Sequence, residues 1–191
     1  MTGLTYRNQL AVGALLFAAL AITRGHHFAS IAHVLPSASW AVFFLAGVYL
    51  RPTWALPTLL GVASLLDYVA IARGGGGCMS PAYLALMPAY TALWLAGRWY
   101  AGRCRLEPAT LVPLAVAVIS GSVACELISS GGFYFYSGRF QEPTWADFTQ
   151  RLTLYFPRSL SSMAFWIGVA ALIHVSVAAL RARNTGHVQL P

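Results

Sequence analysis

The sequence contains no lysine, and only 9% of its 191 residues are charged. Twelve arginines against five acidic residues give a net charge of +7, yet the arginines are scattered between long apolar stretches. Scattered basic charge argues against binding to nucleic acid and is typical of the signals that set membrane topology. The acids are so few that each one near an apolar stretch needs an explanation.

Nucleotide-binding and paired-cysteine motifs are also missing. There is no G-x-x-x-x-G-K-[ST] motif and no soluble region to carry one, so we expect no nucleotide to bind to this chain. The three cysteines, Cys78, Cys104 and Cys125, form no C-x-x-C pair and are odd in number, which disfavours a disulfide framework. We interpret Cys104 and Cys125 as structural residues.

What the sequence does have is hydrophobicity: 58% of its residues are hydrophobic and the mean hydropathy is +0.65. Apolar stretches close to the roughly 20 residues of a transmembrane helix recur along the chain. We therefore predict an all-α integral membrane protein with a single domain, residues 1–191. Its six transmembrane helices are predicted at about residues 8–23, 38–50, 53–72, 82–97, 109–128 and 158–180.

Six spans place both termini on one side of the membrane, and the arginines favour the cytoplasm for that side. Seven of the twelve arginines then lie inside, and Arg103 and Arg105 sit in a short loop, where the positive-inside rule is strongest. The loops at about 24–37, 73–81 and 129–157 then face outward. In this topology the two in-span acids, Asp67 and Glu126, fall near the outer ends of their helices.

The most unusual outward stretch is Arg73-Gly74-Gly75-Gly76-Gly77-Cys78-Met79-Ser80-Pro81. Four consecutive glycines do not suit a helix interior, because each costs about 1 kcal/mol relative to alanine. Cys78 is therefore predicted at the tip of a loop. The nearby Arg73 would favour its thiolate, the form that binds soft transition metals. The alternative is a flexible connector with an incidental cysteine.

Other polar and aromatic residues are predicted on the same face, as suits a large planar ligand that needs aromatic walls and a few placed polar groups. His26 and His27 are adjacent and point to different sides, so at most one is a ligand; both could instead be interfacial residues. Asp67 is functional by default within a span, or it pairs with a loop arginine such as Arg73. The other candidates are Tyr83, Tyr134, Tyr136, Arg151 and Arg158, although the aromatic run at 133–136 also fits an interfacial belt.

Two further positions concern helix packing. Ala14 and Ala18 have the small-xxx-small spacing that lets another helix approach closely, although alanines also occur on plain lipid-facing surface. His174 lies deep in the sixth predicted span, and we interpret it as a partner in a hydrogen bond between helices.

A small six-helix protein with these features resembles the substrate-binding S-components of energy-coupling factor (ECF) transporters. The cysteine loop, the His26-His27 pair and Ala82-Tyr83 are similar to the BtuM-like, cobalamin-specific S-components. The resemblance implies uptake of cobalamin across the bacterial inner membrane from the periplasm. It also implies residue roles: Cys78 as axial thiolate ligand of the corrin cobalt, His26, Asp67, Tyr83 and Arg151 as pocket residues, and Ala14 and Ala18 as the motif that docks an ECF coupling subunit.

A thiolate on cobalt donates electron density and weakens the opposite axial bond, so the resemblance also implies reductive or thiolate-assisted loss of cyanide from cyanocobalamin. BtuM-like proteins are often encoded without an obvious dedicated coupling module, which leaves transport without a partner open. Two other functions stay open. One is an S-component for another vitamin or for a metal ion; the other is a membrane thiol redox enzyme, which would require paired cysteines.

Overall fold

The computed structural model describes residues 5–24, 35–73, 81–104 and 107–186, and within these ranges the chain is all-helical, without a strand. Short 3₁₀ helices at Pro81–Ala85 and Pro108–Thr110 precede the fourth and fifth α-helices. The candidate residues His26, His27 and Cys78 lie outside the described residues. The α-helices are α1 Tyr6–Arg24, α2 Ser39–Tyr49, α3 Ala55–Ala72, α4 Leu86–Ala101, α5 Leu111–Tyr136 and α6 Trp145–Gly186.

The length and composition of these helices confirm the predicted class, an all-α protein with helices of membrane type. Four are long and apolar enough to cross a membrane, at Tyr6–Arg24, Ala55–Ala72, Leu111–Tyr136 and Trp145–Leu180. The other two are shorter than the roughly 20 residues that span the hydrocarbon core, since α2 has 11 residues and α4 has 16. Each predicted span overlaps one of the helices.

The short helix α2 lies at the centre of the bundle and contacts all the other described α-helices. Its Phe43 and Phe44 are completely buried, and most of its other residues are buried as well. An apolar helix that is surrounded by other helices buries its whole circumference rather than one stripe. This explains why α2 is uniformly apolar although it is only about 16 Å long.

Close contact between α2 and α4 depends on two glycines. A Cβ atom on Gly47 would lie 2.2 Å from the carbonyl oxygen of Trp94, and one on Gly97 would lie 2.1 Å from that of Phe44. Only glycine lets the two backbones approach this closely, as in membrane helix pairs with small residues at the interface. The two helices are therefore packed with their backbones in direct contact.

Hydrogen bonds between helices define two ends of the bundle. At one end, Arg24 at the end of α1 contacts Ser39 at the start of α2 and Asp67 near the end of α3. We call this the Arg24 end. At the opposite end, called the Gln9 end, Gln9 Oε1 accepts a hydrogen bond of 3.1 Å from the Arg51 N–H. At the same end, Tyr49 forms a hydrogen bond with His174 of α6, with 3.2 Å between the hydroxyl oxygen and Nδ1.

The helices α5 and α6 extend well into residues 129–157, which the sequence analysis assigned to an outward loop. Only residues 137–144 are non-helical there. Gly138 follows the end of α5 with a φ of +71°, a left-handed conformation suited to glycine. Thr144 caps α6: its Oγ1 accepts from the Asp147 N–H at 3.2 Å and donates to the Asp147 carboxylate at 2.8 Å. These two caps shorten the loop to eight residues.

Candidate binding site at the Arg24 end

A network of charged and polar side chains joins the helices at the Arg24 end. Arg24 binds Asp67 through two parallel hydrogen bonds of 2.7 Å, from Nε to Oδ1 and from Nη2 to Oδ2. The side chains are only 11% and 22% exposed, so this is a largely buried ion pair. The planar guanidinium matches both carboxylate oxygens, which is the strongest geometry for such a pair.

The third nitrogen of the Arg24 guanidinium extends the network to α2 and α4. Nη1 donates to the Tyr90 hydroxyl at 2.8 Å and to Ser39 Oγ at 3.2 Å. Tyr90 is buried and stacks on Phe43 with ring centroids 4.3 Å apart. The guanidinium is therefore held by groups from three helices, and its orientation is fixed.

Asp67 also connects the ion pair to the 3₁₀ helix that precedes α4. The Tyr83 hydroxyl donates to Asp67 Oδ2 at 2.6 Å. This bond joins the chain on either side of residues 74–80, because Asp67 lies before that segment and Tyr83 after it. Asp67 is thus paired with an arginine, which was one of the two interpretations given for an acid within a predicted span. The described ion pair is with Arg24 at the end of α1, an arginine that was not among the predicted site residues.

A cavity of about 500 Å³ lies beside this network. It is bounded by the 3₁₀ helix Pro81–Ala85, the start of α4, the C-terminal part of α5 and the start of α6, and its volume suits an organic ligand. Gly132 allows α5 to approach the 3₁₀ helix here, since a Cβ atom on it would lie 2.4 Å from the Ala85 Cβ. The lining residues are Ala82, Tyr83, Leu86, Glu126, Ser129, Ser130, Phe133, Tyr134, Arg139, Phe148, Arg151, Leu152 and Tyr155.

Aromatic rings and guanidinium groups alternate on one side of the cavity. Tyr134 is buried, stacks on Phe148 with centroids 5.7 Å apart, and accepts a hydrogen bond of 3.2 Å from the Thr144 N–H. The Arg151 guanidinium lies 5.9 Å from the Tyr134 ring and 5.4 Å from the Tyr155 ring, within the range of cation–π attraction. Arg139 lies 5.7 Å from Phe133 in the same way.

A second cavity, of about 770 Å³, adjoins the first along the loop between α5 and α6. It adds polar groups from the loop and from the first turns of α6. The residues that line both cavities are Tyr134, Arg139, Arg151 and Tyr155. Together the two cavities offer one extended surface of rings and cations to a large ligand.

The structure brings some of the predicted site residues together and separates others. Tyr83, Tyr134 and Arg151 line one cavity, and Asp67 is joined to it through the hydroxyl of Tyr83. Arg158 is exposed on α6 and lines neither of the two cavities, and Tyr136 is 74% exposed.

The predicted packing residues have clear positions. Ala14 and Ala18 are both exposed on one face of α1. The hydrogen bond of His174 to Tyr49 confirms its interpretation as an interhelical contact. Cys125 is completely buried in the core and Cys104 is half-buried at the Gln9 end, and both are free thiols. No cluster of three or more potential metal ligands occurs among the residues that the structure describes.

Several residues of the site were absent from the predicted set. Arg24 binds Asp67, Ser39 and Tyr90 bind Arg24, and Arg139 and Phe148 line the cavity. Arg24 had a detectable signal, because it is the charged residue at the outer end of the first predicted span, at the depth of Asp67. The pairing of α1 with α3 that joins them is a property of the fold.

No protein-family model matches this chain, and no curated protein sequence matches it. The function therefore has to be inferred from the residues of the site and from their geometry.

Proposed function

We propose that the protein is a small multi-pass membrane protein of the S-component type that binds cobalamin and takes it up across the bacterial inner membrane. The observation that carries this proposal is the cavity lined by aromatic rings and arginines at the Arg24 end. Its first lining residue in chain order, Ala82, is only four residues from Cys78. Flat macrocycles bind between aromatic walls, and their polar substituents need a few fixed hydrogen-bonding groups.

In this proposal Cys78 supplies the axial ligand to cobalt. The thiolate is a soft ligand suited to a transition metal that the macrocycle already holds. A single protein ligand suffices in such a case, because the corrin nitrogens supply the others.

Coordination by Cys78 would also change the chemistry of the opposite axial ligand. The sulfur donates electron density to cobalt, the opposite cobalt–carbon bond weakens, and cyanide leaves with the bonding electron pair. The cobalt keeps its oxidation state in this thiolate-assisted step, and the cyanide takes up a proton from water.

The described residues have distinct roles in binding. Arg151 and Tyr134 would contact the rim of the macrocycle, and Tyr83 would be oriented by its hydrogen bond to Asp67. Asp67 is therefore a positioning residue, held in turn by Arg24. His26 and His27 remain proposed pocket residues, whereas the position of Arg158 outside the cavities argues for a peripheral role.

We also propose six membrane crossings, with the Arg24 end in the periplasm and both termini in the cytoplasm. The exposed face of α1 with Ala14 and Ala18 would dock the membrane subunit of an ECF coupling module. Transport without such a module is the alternative mode for the same binding site.

The first experiment is the visible absorption spectrum of the detergent-purified protein after incubation with cyanocobalamin and desalting. We expect a retained corrin with shifted bands in the wild type, and unshifted or absent bands in Cys78→Ala and Cys78→Ser. Cys104→Ser is the matched control, because Cys104 lies at the Gln9 end, and it should behave like the wild type.

This experiment tests cobalamin binding and the thiolate–cobalt bond separately. No retained colour in the wild type would refute cobalamin binding. Retained colour with the same spectrum and the same cyanide release in the wild type and Cys78→Ala would refute the thiolate–cobalt bond.

A further inference from the structure

Glu126 is an acid within the long apolar helix α5, and it lines the cavity at the Arg24 end. It is only 5% exposed. Ser130, one turn further along, donates a hydrogen bond to Glu126 Oε1. The neighbouring Ser129 donates instead to the carbonyl oxygen of Cys125 at 2.7 Å, so it leaves the carboxylate free for other donors.

The carboxylate has more acceptor capacity than its surroundings use. An ionised carboxylate can accept about four hydrogen bonds, and within the described ranges one side-chain donor, Ser130, reaches Glu126. Within the described ranges Glu126 takes part in no salt bridge, since the Arg24 guanidinium pairs with Asp67 instead. Arg139 and Arg151 line the same cavity without pairing with it.

A buried carboxylate with unfilled acceptor positions costs free energy unless donors satisfy it. At Glu126 the unfilled positions belong to a residue that lines the cavity, where a bound ligand can supply the donors. The charged side chains that line the cavity are of two kinds: guanidinium groups that favour anions and acceptors, and one carboxylate that favours N–H donors.

We propose that Glu126, oriented by Ser130, forms an acceptor subsite that selects ligands with a primary amide at this position and rejects those with a carboxylate. This inference rests on the proposed function, because the corrin periphery carries several primary amides. Glu126 would accept a hydrogen bond from one amide N–H, whereas a carboxylate there would meet a like charge in a poorly hydrated site. Hydrogen bonding by Glu126 would thus distinguish corrins that have the full set of amides from their singly hydrolysed forms.

The experiment measures dissociation constants of the purified protein for cyanocobalamin and for a set of derivatives in each of which one peripheral amide is hydrolysed to a carboxylate. We expect the wild type to bind one derivative on the order of 100-fold more weakly than cyanocobalamin, because like charges brought together cost several kcal/mol. In Glu126→Gln that difference should fall to tenfold or less, since the amide side chain keeps the Ser130 bond and can donate to the new carboxylate.

The controls separate this subsite from folding and from the proposed function. Glu107→Gln removes an exposed acid at the Gln9 end and should keep the wild-type preference. A wild type that binds all derivatives within tenfold of cyanocobalamin would overturn the subsite without any variant. The same preference in Glu126→Gln as in the wild type would overturn it too. Wild-type protein that fails to bind cyanocobalamin would instead refute the proposed function, and the subsite with it.

Discussion

At the scale of single residues, the Arg24–Asp67 pair links four α-helices and the 3₁₀ helix Pro81–Ala85. Its two parallel hydrogen bonds of 2.7 Å leave further contacts for Ser39, Tyr90 and Tyr83. Burial of two charges is costly, and a pair repays the cost only when the geometry is good and additional hydrogen bonds satisfy the remaining groups. The network meets both conditions, so loss of one partner is more damaging than loss of both.

We therefore expect Arg24→Gln and Asp67→Asn each to lower the free energy of unfolding by about 3 kcal/mol, because each leaves one uncompensated charge. The double variant should be less destabilised than the sum of the two. The measurement is thermal unfolding in detergent, arranged as a double-mutant cycle.

Arg103→Gln is the control for this cycle. Arg103 is exposed at the Gln9 end and stacks on Trp99, so its loss should cost less than about 1 kcal/mol. Strictly additive effects of Arg24→Gln and Asp67→Asn would show that the two side chains do not act as a pair.

Some site candidates could be proposed from side-chain chemistry and the predicted topology alone. Tyr83, Tyr134 and Arg151 were expected on one face of the membrane, and they line one cavity. The pairing of Asp67 with Arg24 and the position of Arg158 outside the cavities could not be predicted in the same way. Both depend on which sides of α1, α3 and α6 face the bundle, and uniformly apolar helices carry no strong pattern that indicates this.

At the scale of elements, the sequence predicted which stretches form helices better than it predicted where those helices end. The outward loop predicted at about 129–157 includes Gly131 and Gly132, yet both lie within α5, where Gly132 allows the contact with Ala85. Tertiary packing thus overrides the low helix propensity of glycine. Thr144 and Asp147 match the [ST]-x-x-[DE] pattern that often precedes a helix, and Thr144 caps the first turn of α6 through its contacts with Asp147.

The contact between α2 and α4 gives a prediction at this scale. Gly47→Ala should lower the free energy of unfolding by about 3 kcal/mol, because the added methyl group would meet the Trp94 carbonyl and the two helices would have to separate. The measurement is the thermal midpoint in detergent, monitored by intrinsic tryptophan fluorescence.

Gly61→Ala provides a matched control within a helix. Gly61 lies in α3, and a Cβ atom there would have no heavy atom within 4 Å. The substitution should be neutral or stabilising by up to about 1 kcal/mol, since alanine favours helix more than glycine does. Equal thermal midpoints for Gly47→Ala and Gly61→Ala would contradict the close approach of α2 and α4.

At the scale of the whole molecule, the short helices fit a membrane protein because their neighbours cover them. The central helix α2 packs against all the other described α-helices and needs little contact with lipid. The 3₁₀ helix Pro81–Ala85 extends α4 to 21 residues of continuous helical structure. Polar backbone at the ends of short helices is tolerated at membrane depth when protein surrounds it. Six crossings are thus compatible with the dimensions of a bilayer.

The orientation of the bundle gives the last prediction. Arg7, Arg51, Arg98 and Arg103 lie toward the Gln9 end, and α6 continues past His174 at that end to Arg181 and Arg183. An excess of arginine near the membrane ends of short loops favours the cytoplasm. We therefore expect the loop between α4 and α5 to be cytoplasmic and the loop between α5 and α6 to be periplasmic.

This orientation can be tested with single cysteines introduced into a variant in which Cys78, Cys104 and Cys125 have been replaced. We expect Gln141→Cys to react with a membrane-impermeant maleimide in intact cells, whereas Gly102→Cys should react only after the inner membrane is permeabilised. Both positions are exposed and lie on either side of α5, so each serves as the control for the other. The reverse pattern would place the proposed binding site in the cytoplasm and exclude uptake from the periplasm. Labelling of both positions in intact cells would mean that α5 does not cross the membrane, which would contradict the six-span topology.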